Sequence, residues 1–266
     1  MKGLKDILES ILDRGNVRNV GNNINDYYIS EIEDFLKKNY EGKFKISKTP
    51  NQDGKFVVDS NTNVRLKNYY AEKLTNDLFV FGKVDGSFEC FGCVFTSLDG
   101  APETVTKNFI CSCLELTSLK GCPYVGGHFI CTGTRITSLE GVQKRIFGNF
   151  DCSDNNKLID LKGSPKRIHG DFKCNNCTNL VTLKSNIEYV GGDCSIQACR
   201  SLQSLEGSPK EVDGGFMVYY CDNIKSIKGC PKKVASFGIC SSGNPTDITK
   251  ENINKICDVK YYIDLR

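Results

Sequence analysis

Cysteine is the residue type in this chain with the widest chemical scope, because a thiolate binds metals, attacks electrophiles and forms disulfides. The chain has 266 residues, of which 15 are cysteine. Cys90-x-x-Cys93 followed by Cys111-x-Cys113 matches the ligand spacing of zinc sites, and Cys174-x-x-Cys177 adds another pair. A zinc-dependent or redox-active protein is therefore the first hypothesis to weigh.

The place of these cysteines in a sequence repeat favours packing over metal binding. One slot of the repeat holds cysteine in five copies and isoleucine or valine in three others: Cys90, Cys111, Cys131, Cys152, Cys174, Ile196, Val218 and Ile239. A buried free cysteine behaves as a small hydrophobic residue. We therefore expect packing cysteines, no metal site and no cofactor, with zinc or redox chemistry as the alternative that metal analysis would test.

Other residue types suited to catalysis are scarce. The chain has two histidines, His128 and His169, in slots that hold Asn149 or Gly126 in other copies, which indicates surface variation of the repeat. Aspartates and glutamates are scattered, with no pair suited to acid–base catalysis. We expect a protein that is not an enzyme.

One pattern recurs every 20 to 22 residues between about residue 86 and residue 240. Each copy starts at an anchor residue, and these are Phe88, Phe109, Phe129, Phe150, Phe172, Cys194, Phe216 and Phe237. A Leu-x-x-Leu-like pair follows seven or eight residues later, then glycine and usually proline, and a β-branched residue precedes the next anchor. Such self-similarity is typical of a solenoid, whose coils bury their apolar sides against one another.

The chemistry of one copy indicates the shape of a coil. The anchor and the residue two positions later point to the same side of a strand, and glycine and proline turn the chain. Neighbouring strands lie about 4.8 Å apart, so eight coils predict a parallel sheet about 40 Å long. Val64–Leu66 fits the first strand of a weaker extra coil.

This repeat resembles the leucine-rich repeat, which carries an asparagine-or-cysteine slot after its strand. The slot is visible here as Cys93, Asn155, Cys177, Cys199 and Cys221. The phrase Gly-x-Phe-x-Cys…Leu-Thr-Ser-Leu-x-Gly-x-Pro is similar to repeat proteins of tailed bacteriophages. The resemblance spans roughly 60–70% of the chain and implies a phage-encoded leucine-rich-repeat solenoid with a parallel β-sheet and an irregular convex side.

Atypical segments flank the repeat, as solenoids require at their ends. We predict a small α+β N-terminal cap and a helix-strand C-terminal cap. The predicted segments are an amphipathic helix over 1–15, a polar linker over 16–25, the N-terminal cap over 26–63, the solenoid over 64–243 and the C-terminal cap over 244–266.

Leucine-rich repeats bind partners on their concave strand side. The resemblance therefore implies binding by the side chains that alternate along each strand with the anchor and the residue two positions after it. We expect a protein partner to contact apolar anchors and two polar selectors there: Phe91, Ile110, Ile130, Met217 and Tyr219 as anchors, and Asp151 and Lys173 as selectors. The alternative is that the caps or a loop cover the apolar positions.

The first 15 residues have helical spacing. Their apolar side consists of Leu4, Ile7, Leu8, Ile11 and Leu12. The segment resembles the packaging leaders of internal head proteins of some tailed phages, which are cleaved after a hydrophobic-x-Glu triplet such as Ile7-Leu8-Glu9. That resemblance implies a virion-associated structural protein targeted by this helix. Docking on another protein and packing on the chain's own cap remain alternatives.

Charge and hydropathy narrow the class of partner. There are 35 Lys and Arg residues against 32 Asp and Glu, and the formal net charge of +3 disfavours a dedicated nucleic-acid binder. Basic pairs such as Lys166-Arg167 are interspersed with acids, which favours a solvated rim over the alternative of a phosphate-binding track. No apolar run approaches membrane-spanning length, and no secretory signal is visible. We expect no membrane association and a cytoplasmic location, in the host if the protein is phage-encoded, or a place in the virion.

Overall fold

The computed structural model describes residues 20–67, 70–240 and 248–265. Helix α1 (Val20–Asn39) packs against the first strands through its buried residues Ile32 and Leu36. Residues 20–25 are part of α1 and not of the linker predicted over 16–25, because tertiary packing of a helix outweighs the weak helix preference of its asparagines. The predicted amphipathic helix over 1–15 lies outside the described residues.

Five strands follow α1 and start the solenoid. They are β1 (Tyr40–Glu41), β2 (Phe44–Ile46), β3 (Phe56–Ser60), β4 (Val64–Leu66) and β5 (Phe79–Val84). β2 pairs with β3 and β1 pairs with β4, both antiparallel. β3 pairs with β5 in parallel, which sets the strand direction of the coils that follow.

Each repeat then contributes two short strands. In chain order they are β6 (Phe88–Phe91), β7 (Thr104–Val105), β8 (Phe109–Ser112), β9 (Tyr124–Val125), β10 (Phe129–Ile130), β11 (Arg145–Ile146), β12 (Phe150–Asp151), β13 (Arg167–Ile168), β14 (Phe172–Lys173), β15 (Tyr189–Val190), β16 (Cys194–Ser195), β17 (Glu211–Val212), β18 (Gly215–Val218) and β19 (Lys233–Ile239).

The strands stack as two walls of a β-solenoid. The first wall contains the anchors and runs in the order β4, β6, β8, β10, β12, β14, β16, β18, β19, which makes nine coils, as the repeat predicts. The second wall contains the β-branched residues, in β5, β7 and β9 and then in β11, β13, β15, β17 and β19. The predicted irregular convex side thus includes a second ladder of parallel strands, because these two-residue segments also stack in register.

A third side joins the walls. It consists of the Leu-x-x-Leu segments, which turn their leucines into the core, and its bridge between Leu161 and Ser185 stands outside the named strands. Gly163 follows one of these segments at φ 84°, a left-handed conformation that favours glycine.

The core is a column of anchor side chains. Their rings are fully buried, and successive pairs from Phe88 to Phe172 have centroids 5.6 to 5.9 Å apart. Cys194 interrupts the column, which resumes with Phe216 and Phe237 at 5.5 Å. The cysteines two residues after the anchors are also fully buried, which confirms that the slot is a packing position.

A polar ladder runs beside the anchors. The residue before each anchor accepts a hydrogen bond from the backbone N–H at the same position one coil later, and its members are Asn63, Ser87, Asn108, His128, Asn149, Asp171 and Asp193. Glycine two residues before the anchor leaves room for these side chains. A Cβ built on Gly148 would lie 2.5 Å from His128 Nδ1.

A second ladder closes the turn after the first wall. Cys177 and Cys199 donate from Sγ to backbone oxygens of the preceding coil, those of Cys152 at 3.4 Å and Cys174 at 3.2 Å. Asn155 does the same from Nδ2 to the Cys131 oxygen at 2.8 Å. The asparagine-or-cysteine slot of the repeat therefore holds side chains that bond one coil to the next.

The solenoid ends on one helix and one strand. Helix α2 (Lys250–Ile256) is capped by Thr249, whose Oγ1 accepts from the Asn252 N–H at 3.1 Å. β20 (Asp258–Leu265) pairs with β19 in parallel. Neither helix of the described residues has the combination of length and apolar character that crossing a bilayer requires.

Candidate functional site

The outward side chains of the first wall form a continuous surface, which we call the strand face. Parallel pairing aligns one position of each coil into a row of Glu89, Ile110, Ile130, Asp151, Lys173, Ser195, Met217 and Gly238. A second row, two residues further along each strand, includes Phe91, Ser112, Asn175, Gln197 and Tyr219. Because backbone pairing and both ladders fix the coils, the strand face is a preformed surface.

The N-terminal end of the strand face is apolar. Ile110 and Ile130 are Cα partners on adjacent strands, and both side chains are half-buried. Phe91 lies diagonal to Ile110, since its own partner is Ser112. The guanidinium of Arg65 sits 5.8 Å from the Phe91 ring centroid and 3.4 Å from Glu89. The structure therefore brings the first three predicted anchors together beside one cation.

The middle of the strand face is polar. Asp151 and Lys173 are Cα partners, yet the described residues show no ion pair between them within 4.0 Å. Asp151 Oδ1 instead accepts from the Ser153 N–H at 3.0 Å. Lys173 is half-buried, and no ion pair of its ammonium is found among the described residues.

The C-terminal end of the strand face is tied to the last strand. Tyr219 Oη donates to Asp264 Oδ2 at 3.1 Å, and a Cβ built on Gly238 would overlap the Tyr219 ring. Met217 lies beside Gly238 in the same row and is half-buried. β20 therefore holds the Tyr219 side chain in this second apolar spot.

The apolar side of the predicted N-terminal docking helix lies outside the described residues. It consists of Leu4, Ile7, Leu8, Ile11 and Leu12.

The cysteines line the core, and some of their thiols contact one another, as Cys174 Sγ does when it donates to Cys177 Sγ at 3.5 Å. All fifteen are free thiols, and within the described part of the chain no group of three or more His, Cys, Asp or Glu is placed to hold a metal ion. Cys90 donates to the Ile110 oxygen and Cys93 to the Phe91 oxygen, so this pair points at backbone oxygens. Burial raises the pKa of the Cys111 and Cys131 thiols well above its usual value, which keeps them protonated and weakly nucleophilic.

The histidines have separate environments. His128 is half-buried and belongs to the polar ladder, which corrects the expectation that it is mere surface variation. The repeat hides this function because asparagine and aspartate accept the same hydrogen bond. His169 is exposed on the second wall, where its ring is stacked on Phe147 at 5.8 Å.

The outer surface of the second wall carries a feature that the sequence analysis missed. Tyr124, Phe147, His169 and Tyr189 form a row of rings across four successive coils, with centroids 5.8 to 6.5 Å apart. Tyr124 and Tyr189 precede the β-branched residue of their strands, whereas Phe147 and His169 follow it, so no single repeat slot contains all four rings. No protein-family model, curated protein or solved structure matches this chain.

Proposed function

We propose that this chain is a non-enzymatic protein-interaction module whose strand face binds a protein partner. The observation that carries the proposal is the pairing of Ile110 with Ile130 next to Phe91, all on the outward side of a rigid sheet. Adjacent apolar side chains at a protein surface are characteristic of interaction sites. A preformed sheet loses little conformational entropy on binding, which favours affinity.

The charges beside the apolar patch supply specificity. Arg65 with Glu89 borders the patch on one side, and Asp151 with Lys173 borders it on the other. An apolar centre with a polar rim is the usual anatomy of a protein–protein interface. The partner expected here presents an apolar side chain to the isoleucines and an acidic group to Lys173.

The repeat supports a narrower proposal about type and origin. The Phe-x-Cys strand and the asparagine-or-cysteine slot resemble the leucine-rich repeat, and the full phrase resembles repeat proteins of tailed bacteriophages. On this basis the chain is a phage-encoded leucine-rich-repeat protein that acts in the host cytoplasm or within the virion.

The test compares partners captured by C-terminally tagged full-length chains in native cells. One chain is unaltered, and the other carries Ile110→Thr with Ile130→Thr, which keeps β-branched residues in the strands while removing apolar surface. We expect a partner of the unaltered chain to be lost from the double variant. A melting curve of each purified chain shows whether folding is preserved.

The matched control is Ile159→Thr, because Ile159 is 58% exposed on the third side, away from the strand face. This variant should retain the same partner. If the double variant keeps every partner, or if Ile159→Thr loses the same one, the strand face is not the binding surface.

A further inference from the structure

The second wall presents two arginines in an electrostatically unfavourable arrangement. Arg145 and Arg167 are Cα partners on β11 and β13, and both are exposed. Like charges directly opposite one another destabilise a strand pair. Lys144 and Lys166 precede them, and the Lys144 carbonyl oxygen accepts from the Lys166 N–H at 2.8 Å, so the lysines also occupy adjacent coils. Four cations are thus gathered on two neighbouring coils.

None of these four cations forms an ion pair with a carboxylate of the described residues. The contrast with other coils is clear, since Lys162 and Lys228 pair with Glu140 and Glu206 of the coil before, each at 2.9 Å. An anion bound between the arginines would relieve their repulsion. The expected ligand group is a phosphate, which matches the planar guanidinium donors.

Aromatic rings flank the cations on the same surface. Tyr124 in β9 is 52% exposed, and Phe147, which directly follows β11 on the next coil, is 44% exposed. Tyr189 lies beneath the Arg167 guanidinium at 4.5 Å, which holds that cation in place. Rings beside cations suit a ligand that carries both flat bases and phosphates.

We infer that this surface, defined by Tyr124, Phe147, His169 and Tyr189 with the four cations, binds single-stranded nucleic acid. Phosphates contact the four cations, and bases pack against the exposed parts of the Tyr124 and Phe147 rings, of which Phe147 is covered on one face by His169. A duplex keeps its bases stacked inside, so it can use the cations but not the rings. Four coils at about 4.8 Å spacing span about 14 Å, which accommodates a short run of nucleotides.

The formal net charge of +3 conceals this surface because it averages the cations with acids elsewhere. Acidic residues bound the patch: Glu188 pairs with Lys210, and Asp213 accepts from the Tyr189 hydroxyl. The site is therefore local, and it is independent of the strand face.

The experiment measures fluorescence anisotropy of a labelled 20-nucleotide oligothymidine with the full-length chain, starting at about 50 mM salt. With four phosphate contacts, a plot of log association constant against log salt concentration should have a slope of about −3. Lys144→Gln with Lys166→Gln should reduce that slope by about half. Phe147→Ala should raise Kd at least about 5-fold without changing the slope.

The matched control is Lys232→Gln with Lys233→Gln, since these exposed lysines occupy the same two repeat positions in the last coil. Their removal should leave Kd unchanged. The inference is overturned if oligothymidine does not bind, if Phe147→Ala leaves Kd unchanged, or if a duplex or a polyglutamate peptide binds as tightly. Melting curves establish that each variant is folded.

Discussion

His128 Nδ1 accepts a 2.8 Å hydrogen bond from the backbone N–H of Asn149, one coil later. Asn108 makes the same bond to His128, and Asn149 makes it to Asp171. The position therefore requires a hydrogen-bond acceptor, and it holds asparagine, aspartate, serine or a histidine that accepts at Nδ1. Each bond satisfies a backbone donor at an end of the short parallel strands.

Replacing His128 tests the polar ladder. His128→Ala leaves the Asn149 N–H without its acceptor, so the free energy of unfolding should fall by about 1–2 kcal/mol. His128→Asn restores an acceptor and should lie close to the unaltered chain. Urea denaturation of the three chains checks this, and equal losses in both variants would show that the bond contributes nothing.

Asn155 is the buried polar residue whose replacement we expect to destabilise the core most. It is fully buried, accepts from Thr134 N–H at 2.8 Å and donates to the Cys131 and Cys152 oxygens. Asn155→Ala leaves several buried groups unpaired and should cost about 2–4 kcal/mol.

Asn155→Cys is the informative comparison, because cysteine fills this slot in other coils and still donates to a backbone oxygen. It should cost less than alanine in a thermal or denaturant melt. An Asn155→Cys variant as unstable as Asn155→Ala would contradict the equivalence of the two residue types.

We expect Ala198→Gly to stabilise the protein, although a change from alanine to glycine usually destabilises one. The φ of Ala198 is 55°, and the left-handed region costs a residue with a Cβ about 1–2 kcal/mol. Part of the gain is offset by the greater entropy of glycine in the unfolded chain, so Ala198→Gly should stabilise by up to about 1 kcal/mol.

The matched control for that change is Ala235→Gly, because Ala235 lies inside β19 and is not among the residues with positive φ. It should destabilise the protein. The difference in melting temperature between the two variants measures the strain directly, and identical shifts would exclude it.

The buried thiols should make the fold sensitive to alkali. Burial raises the pKa of Cys131 well above its usual 9.0 and that of Cys122 to about 12. Above pH 9 these thiols ionise in the unfolded chain before they do in the folded one, so the unfolded state binds fewer protons and stability falls as pH rises. Below pH 9 both states are protonated, and stability should not depend on these groups.

Each such thiol lowers the free energy of unfolding by about 1.4 kcal/mol for every pH unit above its pKa in the unfolded chain. This loss stops when pH reaches its pKa in the folded chain. Cys131→Val should reduce the slope of unfolding free energy against pH by the contribution of one thiol. Valine fits here because it already occupies this slot at Val218. Denaturant melts from pH 7 to 10.5 in reductant test this. A slope that is the same in both chains would contradict the protonated state of Cys131.

The repeat period alone determined the solenoid, its nine coils and the buried anchors. This was possible because residues separated by one period stack on each other, so apolar positions at that spacing must share a core. The outward positions of the strand face also follow from the period, since alternation within a strand sets which side chains point outward. The register of Ile110 with Ile130 is what this alternation predicts.

The tertiary structure decided the relationships that cross between repeat slots. Cys113 donates to the Cys90 oxygen although it lies one residue off the expected slot, because that coil has a shorter turn. The approach of Gly148 to His128 likewise depends on backbone separation between coils, which sequence spacing does not contain. The rings and cations of the second wall belong to different slots and become neighbours only when the coils stack, because side-chain contacts depend on three-dimensional packing and not on periodicity.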